Sequence, residues 1–177
     1  MLRKSGMKAL IIGDGGIGKT TLVQKVDKKN NIDGRMTILF EIHHLRIQDH
    51  SILILDIGGQ KQFQKAILEI EGLFKGVQLV ILCFDLSRYA SFKNLSMWLN
   101  LVKTRLQDVP VILVGTKADK IPSVSPSEIK EFLKSNNIDH YIATSALKRS
   151  NIQAPFERAS ELIYKKRNNL KIKSQPN

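Results

Sequence analysis

The sequence predicts an α/β domain: a six-stranded, mostly parallel sheet with one antiparallel edge strand and about five helices on both faces. Three observations predict it. Short apolar runs of strand length alternate with segments of helical period along the chain. The run Ile52–Ile57 has no polar alternation, as expected of a strand buried on both faces. The short link Gln48-Asp49-His50-Ser51 between that run and the preceding one favours an antiparallel hairpin.

The elements follow in order. Met7–Gly13 reads as a buried strand, then a glycine-rich turn, then a helix from about Lys19 to Lys28. Asn30–Met36 is polar, turn-rich and poorly periodic, so a loop is expected there. In Ile38–Ile47, Ile38, Phe40 and Ile42 fall on one face and Glu41 and His43 on the other, as in a half-exposed strand. Three more strands are expected at Val77–Phe84, Val109–Gly115 and His140–Thr144. Between them, Leu95, Trp98, Leu99, Val102 and Leu106 recur at helical spacing. Ser125-Pro126-Ser127-Glu128 reads as a capping box with proline at the first helical position, opening a helix that turns Ile129, Phe132 and Leu133 inward. The last helix, from about Asn151 to Arg167, packs Phe156, Ala159, Leu162 and Ile163. In such sheets ligands sit beyond the carboxyl ends of the strands.

Composition bounds the function classes. At 177 residues one domain is expected, and 42% hydrophobic with 25% charged residues is globular rather than disordered. Leu79–Phe84 and the other apolar runs are far shorter than a membrane span, and the N-terminus lacks the pattern of a cleaved signal peptide. The lone Cys83 excludes an intramolecular disulfide and fits a reducing, cytoplasmic setting; it reads as a small buried hydrophobe. The net charge of +12 asks for an anionic partner.

Gly13-Asp14-Gly15-Gly16-Ile17-Gly18-Lys19-Thr20 matches the phosphate-binding pattern G-x-x-x-x-G-K-[ST], between a strand and a helix as that pattern requires. Glycines let the backbone wrap closely around phosphate so that successive N–H groups meet the anion, and the helix that follows adds free N–H groups and a positive end. Lys19 would reach the β- and γ-phosphates and the Thr20 hydroxyl would ligate Mg²⁺. This pattern alone leaves kinase, ATPase and GTPase open.

Asp56-Ile57-Gly58-Gly59-Gln60 stands at the end of the buried strand. A carboxylate at that edge can hold Mg²⁺ or a metal-bound water; Gly59 would bring its N–H to a γ-phosphate and Gln60 would orient an attacking water. Gly115-Thr116-Lys117-Ala118-Asp119 follows the next-to-last strand and Thr144-Ser145-Ala146-Leu147-Lys148 the last. Guanine presents two adjacent donors that one carboxylate can accept, so Asp119 would select it over adenine. The stem of Lys117 could lie over the purine and the Ala146 N–H could donate to the guanine carbonyl. Taken singly, these segments read equally well as capped turns.

With four motifs in order, the chain resembles the Ras-like small GTPases over about residues 7–167. The glycine-rich loop looks closest to the Ran, Rho and Rab versions and Asp56–Gln60 to the Arf version, so the resemblance reaches the superfamily and no subfamily. It implies a single P-loop NTPase domain over 1–167 and a basic C-terminal tail over 168–177. It implies GTP or GDP and Mg²⁺ bound by Asp14, Gly15, Gly16, Ile17, Gly18, Lys19, Thr20, Thr21, Thr37, Gly59, Thr116, Lys117, Asp119, Ser145, Ala146 and Leu147. Thr20, Thr37 and Asp56 are the implied metal ligands, and Gln60, Lys19 and Thr37 the catalytic set. Loss of the γ-phosphate would release two switch loops, about 29–38 and 58–72, read by effector, exchange-factor and activating proteins.

Two departures stand out. Residues 28–35 hold no aromatic to stack on the base, so either the base is held less well or a stem such as Lys28 covers it, and Thr116 replaces the commoner asparagine, as in Rho-type proteins. Arg35, two residues before Thr37, is one register off the built-in arginine of heterotrimeric G-protein α subunits and reads as a solvated loop cation. Hydrolysis should therefore be slow without an activating protein. A non-catalytic, nucleotide-bound scaffold is the alternative.

The four histidines lack metal-ligand spacing with any Cys or His partner, Trp98 reads as core, and Asp85 as a turn cap. Residues 164–177 carry five basic and no acidic side chains. Without a lipidation signal, contact with an anionic membrane surface should be weak and salt-sensitive. The basic residues lack the aromatic interleaving of a nucleic-acid binder, and a monomer is expected.

Overall fold

In the computed structural model, residues 6–27, 39–60, 64–70, 72–106 and 108–173 are described. The strands are β1 (Met7–Ile12), β2 (Phe40–Ile47), β3 (His50–Ile57), β4 (Leu79–Asp85), β5 (Val111–Thr116) and β6 (His140–Ala143). They form one sheet in the order β2-β3-β1-β4-β5-β6, antiparallel at β2–β3 and parallel elsewhere. The helices are α1 (Lys19–Val26), α2 (Gln64–Glu69), α3 (Tyr89–Lys93), α4 (Leu95–Lys103), α5 (Pro126–Asn136) and α6 (Ala154–Lys173). The fold class is thus the one expected, with six helical segments among the described residues; α2 and α3 are short additions.

Strand alternation divides the apolar residues of the sheet between two cores. Leu10, Ile12, Leu55, Phe84 and Leu113 join Trp98 and Leu99 of α4 on one face, while Ala9, Ile11, Ile54 and Val114 join Leu22 and Val23 of α1 and Phe156 and Ile163 of α6 on the other. Every position of β4 is buried, which is why its sequence shows no polar alternation. Each fully buried Leu or Ile contributes about 1.5–3 kcal/mol of apolar transfer, so both faces of the sheet are anchored. The chain leaves β1 for β3 on one side and later crosses to β4 on the other, placing a switch point beyond the carboxyl end of β1.

The capping box opening α5 is present in full: the Ser125 hydroxyl accepts from the Glu128 N–H, and the Glu128 carboxylate accepts from the Ser125 N–H at 2.9 Å. The hairpin is tighter than expected, since β3 begins at His50 and pairs it with Ile47, leaving Gln48 and Asp49 as the link.

Two expectations need correction. In β2 the buried residues are His43, Leu45 and Ile47, whereas Ile42 is 50% exposed. Leu45 and Ile47 share a core with Ile52 and Ile54, and a strict period of two carries His43 to that side. The final helix runs to Lys173, six residues past the expected end at Arg167. Two basic side chains of the helix reach back to the body of the domain. Arg167 donates to the Gly6 carbonyl at 3.0 Å, and Lys166 to the Asp108 carbonyl.

Candidate functional site

The glycine-rich loop lies beyond β1 and is pinned by its one apolar member, Ile17, which is wholly buried in the α1/α6 core. Gly13 has φ 147°, and a Cβ on it would lie 2.2 Å from the Cys83 carbonyl oxygen, so only glycine fits where the loop leaves the sheet. Lys19 is 6% exposed and folds over the loop, donating to the carbonyls of Gly13 at 2.8 Å and Asp14 at 2.9 Å. Burial lowers its pKa, with the nearby carboxylates of Asp56 and Asp14 opposing.

Across the loop stands the end of β3. Thr20 donates to the Asp56 carboxylate Oδ2. Asp56 is wholly buried, and that burial pushes its carboxyl up to about 6 against the pull of Lys19, Thr20 and His43. Gly59 packs directly on the loop: Gly15 donates its N–H to the Gly59 carbonyl at 2.8 Å, and a Cβ on Gly59 would lie 2.2 Å from the Asp14 carbonyl carbon. Gln60 follows beside it, its Cγ 3.8 Å from where a Cβ on Gly15 would stand.

The ends of β5 and β6 complete the edge. The Thr116 hydroxyl lies 2.6 Å from the Ile17 carbonyl and 3.0 Å from that of Phe84, linking β5 to the loop and to β4. Lys117 donates to the Gly16 carbonyl at 2.9 Å and pairs with Asp85 at 2.7 Å. Burial raises the Asp85 carboxyl, but the Lys117 and Ser87 donors outweigh it and hold the group below its ordinary range. Ser145 donates to Asp119 at 2.5 Å, keeping that carboxylate ionised, and the turn carrying Ala146 and Leu147 is closed by paired backbone bonds between Ser145 and Ser150.

The strand ends therefore gather Asp14–Thr20, Asp56, Gly59, Gln60, Thr116, Lys117, Asp119 and Ser145 at one edge of the sheet. Thr21 is exposed on the first turn of α1, and the Leu147 side chain is 82% exposed. Thr37, Arg35 and Lys28 lie outside the described residues.

Sequence reasoning missed several partners. The Asp14 carboxylate is held by Trp98 Nε1 of α4 at 2.7 Å and by Nδ2 of Asn94, the residue just before that helix, at 2.8 Å. Trp98 is core, as expected, and also the clamp on the second residue of the loop; the Asn94–Trp98 spacing of one helical turn was the available signal. Arg88 Nη2 donates to the Gly15 carbonyl at 2.8 Å, a contact with no local signature. Asp85 is the counter-ion of Lys117, beyond turn capping.

The fit to Mg²⁺ and a nucleotide rests on chemistry in place. A buried carboxylate with a raised pKa beside a threonine hydroxyl suits a hard cation. A loop whose Gly13, Gly16 and Gly18 all take positive φ, opening a helix, suits a phosphate chain. Among the described residues no helix is long and apolar enough to cross a membrane.

Comparison with known proteins agrees. The model of the Ras family matches residues 8–165. The Ras-related protein Rab-2B of Dictyostelium discoideum is 33% identical over 90% of this chain and 81% of its own length. The Ras-related protein Rab11B of Nicotiana tabacum is 28% identical over 89% and 75%, and the Ras-like GTP-binding protein RhoL of Drosophila melanogaster 28% over 90% and 88%. With the motifs on the strand ends and the family model covering most of its length, the chain belongs to the Ras family of small GTPases.

Proposed function

We propose that this chain is a guanine-nucleotide switch that binds GTP or GDP with Mg²⁺ and hydrolyses GTP slowly. The observation that carries the reading is the convergence of the Lys19 loop, Asp56 and the Asp119–Ser145 pair on one sheet edge. Backbone N–H groups of Asp14–Thr20 and the Lys19 ammonium bind the phosphates. Ser145 holds Asp119 ionised to accept the two guanine donors, and an adenine would leave that carboxylate unpaired. Thr20, Thr37 and Asp56 would hold Mg²⁺, whose charge would offset that of the phosphates. Gln60, next to the loop-packed Gly59, orients the attacking water. Rate enhancement is positioning and electrostatics.

Hydrolysis would release the loops 29–38 and 58–72, so that effector, exchange-factor and activating proteins distinguish the two states. The protein would act as a cytoplasmic monomer, touching anionic membrane weakly through its basic ends.

Single-turnover GTP hydrolysis by Gln60→Leu tests the assignment. The expected result is retained GTP binding with the rate lowered about tenfold or more. An undiminished rate contradicts the role of Gln60, and no hydrolysis by the wild type, with or without a candidate activator, favours a nucleotide-bound scaffold.

A further inference from the structure

Behind the phosphate loop lies a second group of ligand-type side chains, of which the nucleotide reading uses only one. The β2–β3 register sets Glu41 directly opposite Asp56, and alternation puts His43 on the same face. Two carboxylates and an imidazole thus converge on one side of the antiparallel pair. One ligand atom from each of Glu41, His43 and Asp56 lies within 4.8 Å of the others.

The buried polar atoms here are also short of partners. Asp56 gives Oδ2 to Thr20, while Oδ1 is buried without a hydrogen bond. Both ring nitrogens of His43 are buried without one, on a side chain 2% exposed. Nε2 stands 3.4 Å from Glu41 Oε2, and Nδ1 faces Asp27 Oδ2 at 3.9 Å. A histidine that ligates through one nitrogen and turns the other toward a carboxylate is the usual support for a bound metal.

We propose that Glu41, His43 and Asp56 form a site for one transition-metal dication of the zinc class, sharing Asp56 with the Mg²⁺ position at Thr20. One imidazole nitrogen with two carboxylate oxygens suits such an ion, whereas Mg²⁺ prefers oxygen alone. The ion neutralises the facing carboxylates and satisfies Asp56 Oδ1 and His43 together. Tetrahedral ligands at bonds of about 2.1 Å sit roughly 3.4 Å apart, so the three groups draw in by about an ångström. Glu41, with its side chain 30% exposed, stands on the solvent side of the group, where water would be a further ligand.

The test uses the full chain, stripped of metal, reloaded with GDP and kept in excess Mg²⁺. Zn²⁺ is titrated by calorimetry and Co²⁺ by its visible absorption. The expected result is one equivalent of Zn²⁺ that Mg²⁺ does not displace, with a matching Co²⁺ band. Both weaken about tenfold or more in His43→Gln and Glu41→Gln, while His44→Gln, on the exposed face, binds as wild type. Zn²⁺ should also raise the melting temperature of the wild type but not of His43→Gln. If His43→Gln fails to fold, Glu41→Gln carries the comparison. Absence of saturable binding, binding unchanged in the variants, or displacement by Mg²⁺ mole for mole each overturns the proposal. GDP retention is read separately on the same samples, so a failed metal titration leaves the nucleotide assignment standing.

Discussion

Lys117 Nζ lies 2.7 Å from the Asp85 carboxylate and donates to the Gly16 carbonyl at 2.9 Å, so one ammonium joins the ends of β4 and β5 to the phosphate loop. Asp85→Ala removes the buried half of that link. A hydrogen bond to a charged group is worth about 1.5–3 kcal/mol, so release of a fluorescent GDP analogue should quicken about tenfold or more. Stopped-flow release at the wild-type rate contradicts the linkage.

Gly59 touches the phosphate loop so closely that an added methyl would lie 2.3 Å from the Gly13 oxygen and the Gly15 nitrogen. Those neighbours are backbone and cannot step aside cheaply. Gly59→Ala should cost about 1–3 kcal/mol and weaken nucleotide binding with it, measured by urea unfolding and by titration. Wild-type values for both sink this packing relationship.

Trp98→Phe keeps most of the buried bulk but removes the donor 2.7 Å from Asp14. Asp14 retains Asn94, so the expected loss is about 1–2 kcal/mol of stability, with nucleotide release quickened. A variant as stable as wild type makes the tryptophan core filler only.

Cys83 is buried in β4, and that burial pushes its thiol from 9.0 to about 12. Below pH 9 the thiol is protonated whether folded or unfolded and contributes no pH dependence. Between pH 9 and about 12 the unfolded chain loses the proton more readily, so this group makes stability fall as pH rises. At neutral pH a thiol reagent should label Cys83 only as fast as the protein opens. Rapid labelling of the native protein contradicts its burial.

The strands and the four motifs were legible because their causes are local. Buried strands such as Ile52–Ile57 are uniformly apolar, and the glycine-lysine turn carries its own steric and electrostatic logic. The facing of β2 was not legible, since Phe40–Ile47 offers apolar residues in both phases; Leu45 and Ile47 decide it by packing with Ile52 and Ile54. Helices α2 and α3, of six and five residues, are too short to show a period. Arg88, Asn94 and Trp98 reach the phosphate loop across 73 to 84 residues of sequence, and only the folded sheet brings them there.

Guanine specificity is tested most directly by the nucleotide that the freshly purified protein carries. Mass and absorbance should identify GDP or GTP at close to one equivalent. An adenine nucleotide at that stoichiometry, or an empty protein that then binds ATP and GTP equally, contradicts the assignment of Asp119 and with it the switch.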